Sequence, residues 1–254
     1  MSKPSKKGVG VEEKSETVIN PVFKEKEKKY VDFELSISDL LWTPKQKEFF
    51  ELFNDKTTKM IWLKGCAGTS KTLVSIYCAL QELKKKKSEK LIFVRSAVES
   101  ADTKLLALPG GISEKMFPFF IPLWEKLDEL LPANQVKNLM KNEFVEAIPV
   151  SYLRGRNFGK NKTIVADEIQ SLTKKEIISL ITRISEYSKI VLIFDPAQSD
   201  LPDCKAGAAE EMWGTFNDQE SYDAGIRTFE FGPEEIKRSE LVKFIVKKLK
   251  IYDK

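Results

Sequence analysis

Residues 65–72 read Gly-Cys-Ala-Gly-Thr-Ser-Lys-Thr and directly follow the apolar run Met60-Ile61-Trp62-Leu63. An apolar strand that feeds a glycine-bearing loop, which ends in Lys-Thr and opens a helix, is the arrangement of a phosphate cradle. Successive backbone N–H groups of Gly65, Cys66, Ala67, Gly68, Thr69 and Ser70 can wrap an anion, and the helix N-terminus adds partial positive charge. Lys71 would reach the β- and γ-phosphates of a nucleotide, and Thr72 would set its hydroxyl on Mg2+. The pattern G-x-x-x-x-G-K-[ST] has Ser70 where a second glycine belongs. Serine is tolerated there at negative φ, whereas positive φ costs it about 1 kcal/mol. Taken alone, the loop suits an ordinary glycine-rich turn as well as a cradle.

Composition narrows the chemistry. The chain has 254 residues, 42% of them hydrophobic, and a net charge of +4. That is enough for a sizeable core, and it permits a polyanionic partner held by a local patch without requiring one. There is no histidine, which excludes Ser-His-Asp and Cys-His catalysis and His-ligated zinc. Cys66, Cys78 and Cys204 match no zinc spacing, and their odd number argues against a disulfide framework. With no apolar signal core and no run long enough to span a membrane, a cytoplasmic protein is expected.

Residues 1–30 are rich in Lys, Glu, Ser and Gly and read as a flexible charged tail. Its lysines could touch nucleic acid or simply be solvated. From residue 31 to 254 the pattern is that of one domain. Thr43-Pro44 starts a helix. Strands are expected at 59–63, 91–94, 144–150, 163–166, 189–194 and 227–231, and helices at 71–83, 173–185, after Lys205, and at 233–250. Near-continuous apolar strands alternating with helices predict an α/β fold, with a mostly parallel sheet covered on both faces. Residues 109–145 read as a helical insertion. Its aromatic stretch 117–124 contains Pro118 and Pro122, which are expected to break or kink a helix. Those rings could stack bases, but their helix-like spacing favours the core.

Two acidic boxes follow buried strands. Asp167-Glu168 ends the strand 163–166, where open α/β sheets bind ligands. Asp167 is placed to complete a Mg2+ shell, and Glu168 to polarise a water against a γ-phosphate. An acidic strand-end turn would look the same. Asp195-Pro196-Ala197-Gln198 ends the next strand. Gln198 could orient water or sense the γ-phosphate with Asp195, although Asp-Pro turns are common. Gln46 could read adenine in the same manner. Arg95, Arg154, Arg156 and Arg238 are candidates to touch a phosphate, and surface ion pairing is the commoner fate of an arginine. The loop and both boxes each close a separate predicted strand, in the order a phosphoryl-transfer site needs. Their coincidence points to a P-loop NTPase.

With these residues in hand, the chain resembles the PhoH family from about residue 41 to 251. The resemblance rests on Thr43-Pro-Lys-Gln46, Gly65–Thr72, Val94-Arg95-Ser-Ala-Val-Glu99, Leu108-Pro-Gly110, Leu153-Arg-Gly-Arg156, Asp167-Glu-Ile-Gln170, Asp195-Pro-Ala-Gln-Ser-Asp-Leu-Pro202 and the segment from Arg238. The family is similar to the N-terminal motor domain of superfamily 1 helicases, a RecA-like P-loop fold. The resemblance implies ATP and Mg2+ binding, ATP hydrolysis, and a link to RNA or single-stranded nucleic acid. It also implies a ring-like homo-oligomer, such as a hexamer, in which Arg156 or Arg238 acts on a neighbour's nucleotide. Ser70, Phe194 and Ser96 depart from the family's usual Gly, Gly and Pro, which puts catalytic rate in question more than fold.

Overall fold

The computed structural model describes residues 30–96, 112–153, 155–199, 201, 207–237 and 240–248. The expected tail 1–29 and the motif segments 97–111 and 202–206 lie outside the described residues, as do Arg154 and Arg238.

Six strands form one sheet: β1 (Met60–Gly65), β2 (Lys90–Arg95), β3 (Val145–Pro149), β4 (Lys162–Asp167), β5 (Lys189–Phe194) and β6 (Ile226–Phe231). Their order is β3-β2-β4-β5-β1-β6, and every pairing is parallel. Strand side chains alternate between faces, and two cores result. Ile61, Leu63, Leu91, Phe93, Val165, Val191 and Ile193 face one core. Trp62, Ile92, Val94, Ile164, Ala166, Ile190, Leu192 and Phe194 face the other. A parallel sheet buried on both faces needs such unbroken apolar strands.

The first core is closed by α1 (Pro44–Asn54), α2 (Lys71–Lys84), α3 (Ile112–Leu130) and α4 (Ala133–Lys141). The second is closed by α5 (Lys174–Ile181) and α6 (Ala208–Thr215). Both α1 and α5 begin with reciprocal capping boxes, Thr43 with Gln46 and Thr173 with Glu176. Each satisfies backbone donors that the first helical turn leaves open. No helix among the described residues is long and apolar enough to cross a membrane.

Two expectations change, and one further helix is present. Pro118 and Pro122 do not end a helix, because α3 runs through both from Ile112 to Leu130. An internal proline costs about 3 kcal/mol. Phe120, Leu123, Leu127 and Leu130 are buried on one stripe of α3, and each contributes about 1.5–3 kcal/mol on burial, enough to offset that cost. The terminal helix does not start at Pro233. Pro233–Glu235 is one 3-10 turn, and α8 spans Glu240–Lys248. The intervening backbone is committed elsewhere: the Lys237 N–H donates to the Gly68 carbonyl at 3.1 Å, and the Glu235 carboxylate accepts from the Thr43 hydroxyl. A short helix that the sequence reading passed over, α7 (Gln219–Ala224), precedes β6. The Asp218 side chain caps it and Gly225 stops it at φ 96°.

Candidate active site

The ends of β4, β5 and β1 build the site, with Arg95 at the end of β2 beside Glu168. β2, β4, β5 and β1 lie side by side and parallel, so their C-terminal ends open onto one edge of the sheet. Ligands of open parallel sheets bind at that edge. A cavity of about 340 Å3 lies there. Its walls include Ala67, Gly68 and Ser70 of the loop, Lys71 and Thr72 of α2, Asp167 and Glu168 after β4, and Asp195 and Gln198 after β5. Residues as far apart in sequence as Ala67 and Lys237 thus share one cavity.

The loop is shaped by its neighbours. A side chain at Gly65 would bring a Cβ within 2.9 Å of the Phe231 carbonyl of β6, so that position needs glycine for close approach. Gly65, Cys66 and Thr69 form the inner frame rather than the wall. The Thr69 hydroxyl, fully buried, donates to the Cys66 carbonyl at 2.8 Å. Burial and then the Asp195 charge push the Cys66 thiol up to about 11, so it is no nucleophile at neutral pH. Ser70 sits at φ 62°, ψ 23°, the left-handed region in which a non-glycine residue is strained.

Lys71 folds over the loop, its ammonium donating to the carbonyls of Gly65 at 2.7 Å and Cys66 at 2.8 Å. Burial lowers its pKa, opposed by the charges of Asp195, Glu168 and Asp167. The Thr72 hydroxyl donates to Asp167 Oδ1 at 3.1 Å. Asp167 is 3% exposed. Burial first and the Glu168 charge second push its carboxyl up to about 6, against the opposing pull of Arg95, Thr72 and Lys71.

Asp167 makes no ion pair among the described residues. A buried carboxylate beside a hydroxyl, with Arg95 and Lys71 near but not in ion-pair contact, suits a divalent ion. No group of three or more His, Cys, Asp or Glu side chains among the described residues could cage a metal. An ion here would therefore take its remaining ligands from phosphate and water, the habit of Mg2+.

Glu168 is held in the left-handed region at φ 57° and lines the cavity beside Asp167. One carboxylate oxygen accepts from Gln170 Nε2, and the other lies 3.9 Å from the Arg95 guanidinium. Gln170, 5% exposed, also accepts the Asp195 N–H at 3.2 Å through Oε1. It joins the two acidic boxes. Gln170 closes the Asp167-Glu-Ile-Gln170 motif, and nothing in the sequence alone marks this link. Lys126 and Glu129 of α3, and Lys237, also line the cavity unforeseen. Lone charged residues at solvent-facing positions give no sequence signal of a site.

Two expected residues lie elsewhere. Gln46 is not on the cavity wall. It is 1% exposed, its Oε1 accepts the Thr43 N–H at 3.3 Å as part of the α1 cap, and its Nε2 has no hydrogen-bond partner. Arg156 is not on the wall either. Its guanidinium is paired with Glu146 of β3 at 2.7 Å, because β3 and the loop before β4 share an outer edge of the sheet.

A profile of the family described as PhoH-like protein matches residues 41–250. The chain belongs to the PhoH-like family. It is 32% identical over 202 residues to a PhoH-like protein of Bacillus subtilis, covering 78% of this chain and 60% of that one. It is 31% identical over 182 residues to a PhoH-like protein of Synechocystis sp., covering 72% and 54%. Protein PhoH of Escherichia coli K12 is 30% identical over 188 residues, covering 73% and 51%. The chain thus spans little more than half the length of these PhoH-like relatives. Among solved structures, the Sulfolobus solfataricus SWI2/SNF2 ATPase core in complex with dsDNA aligns at a TM-score of 0.44 and 16% identity, over 85% of this chain and 44% of that one. Pif1 helicase from Candida albicans aligns at 0.36 and 13%, over 76% and 40%. The parallel sheet, the loop closing β1 and PhoH-like membership together define a P-loop NTPase fold.

Proposed function

We propose that this chain binds ATP with Mg2+ in the cavity and hydrolyses it. The observation that carries the reading is the pairing of Thr72 with Asp167 beside Lys71, with Glu168 one residue further on. Thr72 and Asp167 would hold Mg2+, whose charge offsets that of the β- and γ-phosphates. Lys71 exchanges the Gly65 and Cys66 carbonyls for phosphate oxygens. Glu168 takes a proton from the water that attacks the γ-phosphorus. A new P–O bond forms as the β,γ-bridging P–O bond breaks, and the electron pair leaves with ADP. Gln198 and Asp195 read the terminal phosphate.

Glu168→Gln tests the assignment of the base. Nucleotide binding should persist while phosphate release falls at least about 100-fold. Unchanged release would remove Glu168 from that role.

Single-stranded nucleic acid, RNA above all, is the partner we propose, on the strength of the family resemblance. A ring of copies, such as a hexamer, would let Arg156 or Arg238 reach a neighbouring nucleotide. Arg156 supports this by lying on the surface, its side chain 43% exposed. The buried free thiols of Cys66 and Cys78 fit a reducing, cytoplasmic setting.

The strained backbone at Ser70 favours a second reading, a nucleotide-gated binding protein with negligible turnover. Phosphate release measured with and without single-stranded RNA separates the two. Release that RNA stimulates supports the ATPase, and release at background in both supports the gate.

A further inference from the structure

Two lysines besides Lys71 reach the cavity wall, Lys126 and Lys237. They approach from opposite flanks. Lys237 is tied to the β1 side, its N–H on the Gly68 carbonyl and its ammonium on the Leu41 carbonyl. Lys126 arrives on α3, which packs against α2, β2 and β3. α2 carries Thr72, and Asp167 and Glu168 stand at the end of β4, the neighbour of β2, so these groups line one cavity with Lys126.

The backbone beneath Lys126 is fixed. Leu123, Leu127 and Leu130 of α3 are fully buried. The side chain itself is 32% exposed and, among the described residues, makes one ion pair, to Glu129 one turn on at 2.8 Å. Glu129 lines the same cavity. An i,i+3 pair in contact with water is weak. A γ-phosphate carries more charge and more acceptor oxygens than one carboxylate, so it outcompetes Glu129 for the ammonium.

Resting on the nucleotide reading of the cavity, we propose that Lys126 is a triphosphate-discriminating residue. It leaves Glu129 for the γ-phosphate of ATP and finds no such partner in ADP. The helical segment thereby registers which nucleotide is bound, and Glu129 sets the threshold by competing for the same ammonium.

The test is competition binding of ADP and of a β,γ-imido ATP analogue to the full chain, with Mg2+ present. Lys126→Ala should weaken the analogue about tenfold, the loss of one charged hydrogen bond, and change ADP less than about twofold. Retained ADP binding shows that the variant is folded. Lys126→Arg should restore much of the difference. Glu129→Gln should tighten the analogue about two- to threefold and leave ADP unchanged. Equal losses for both nucleotides, or no loss for either, would overturn the role of Lys126. If the unaltered chain binds neither nucleotide, the reading of the cavity itself fails, a result distinguishable from the first.

Discussion

The hydroxyl of Thr72 and the carboxylate of Asp167 meet at 3.1 Å although 95 residues separate them. Two parallel strands with one intervening, β1 and β4 on either side of β5, make that meeting possible.

Asp167 gives a pH signature. Its carboxyl is raised from 3.8 to about 6 in the folded protein, so the folded state holds the proton more tightly than the unfolded chain. The stability this contributes is present below about pH 4 and is lost as pH rises through about 6. At neutral pH the ionised, buried carboxylate costs on the order of 1–3 kcal/mol. Asp167→Asn should raise the melting temperature of nucleotide-free protein at about pH 7.5, with a smaller gain near pH 5. Affinity for Mg2+-nucleotide should fall below about pH 6 in the parent and be lost in the variant. A lower melting temperature for the variant at neutral pH would contradict this account.

Ser70 is a removable strain. Glycine at φ 62° recovers about 1 kcal/mol of steric cost and gives some of it back in unfolded-chain entropy. Ser70→Gly should gain about 0.5 kcal/mol, a rise of about 1–2 °C in melting temperature. Ser70→Ala, still bearing a Cβ, should gain nothing. Thermal scans of the two variants side by side decide it.

Gln170 bonds both acidic boxes, Glu168 through Nε2 and the Asp195 N–H through Oε1. Gln170→Ala removes both bonds. A loss of about 1–3 kcal/mol in stability is expected, together with at least about a tenfold fall in phosphate release. If release keeps the parental rate while stability falls, Gln170 is scaffolding alone.

Gly65→Ala tests the contact between loop and edge strand. The added methyl would sit 2.9 Å from the Phe231 carbonyl, too close without a backbone shift. Destabilisation of about 1–3 kcal/mol is expected in urea unfolding. Nucleotide affinity should drop as well, because the loop carries the displacement.

Much of this architecture was legible in the chain. The central strands β1, β2, β4 and β5 could be read as apolar runs because a doubly covered parallel sheet writes itself as continuous hydrophobicity, whereas β3 and β6 carry charged residues at the sheet edges. The helix start at Thr43-Pro44 was legible because capping is local chemistry. Non-local commitments were not. Pro122 looked like a breaker until its helix was seen to bury Leu123 and Leu127. The segment after Pro233 looked helical, but Glu235 and Lys237 are bonded to Thr43, Leu41 and Gly68. At the site, the loop and the two acidic boxes could be read because they follow strands. Gln170, Lys126 and Glu129 could not, since their roles depend on which helix lies over which strand.

The order of the strands has one more consequence. Lys71, Asp167 and Asp195 come from three segments that are neighbours only when β4, β5 and β1 are zipped together. No fragment of the chain carries the site by itself. Ligand occupancy and integrity of the central sheet are therefore a single equilibrium, in which a nucleotide at a hundred times its dissociation constant would add about 2.7 kcal/mol to the whole domain. Saturation would act as a brace on the fold, and a chain stalled before β5 would have nothing for the nucleotide to hold.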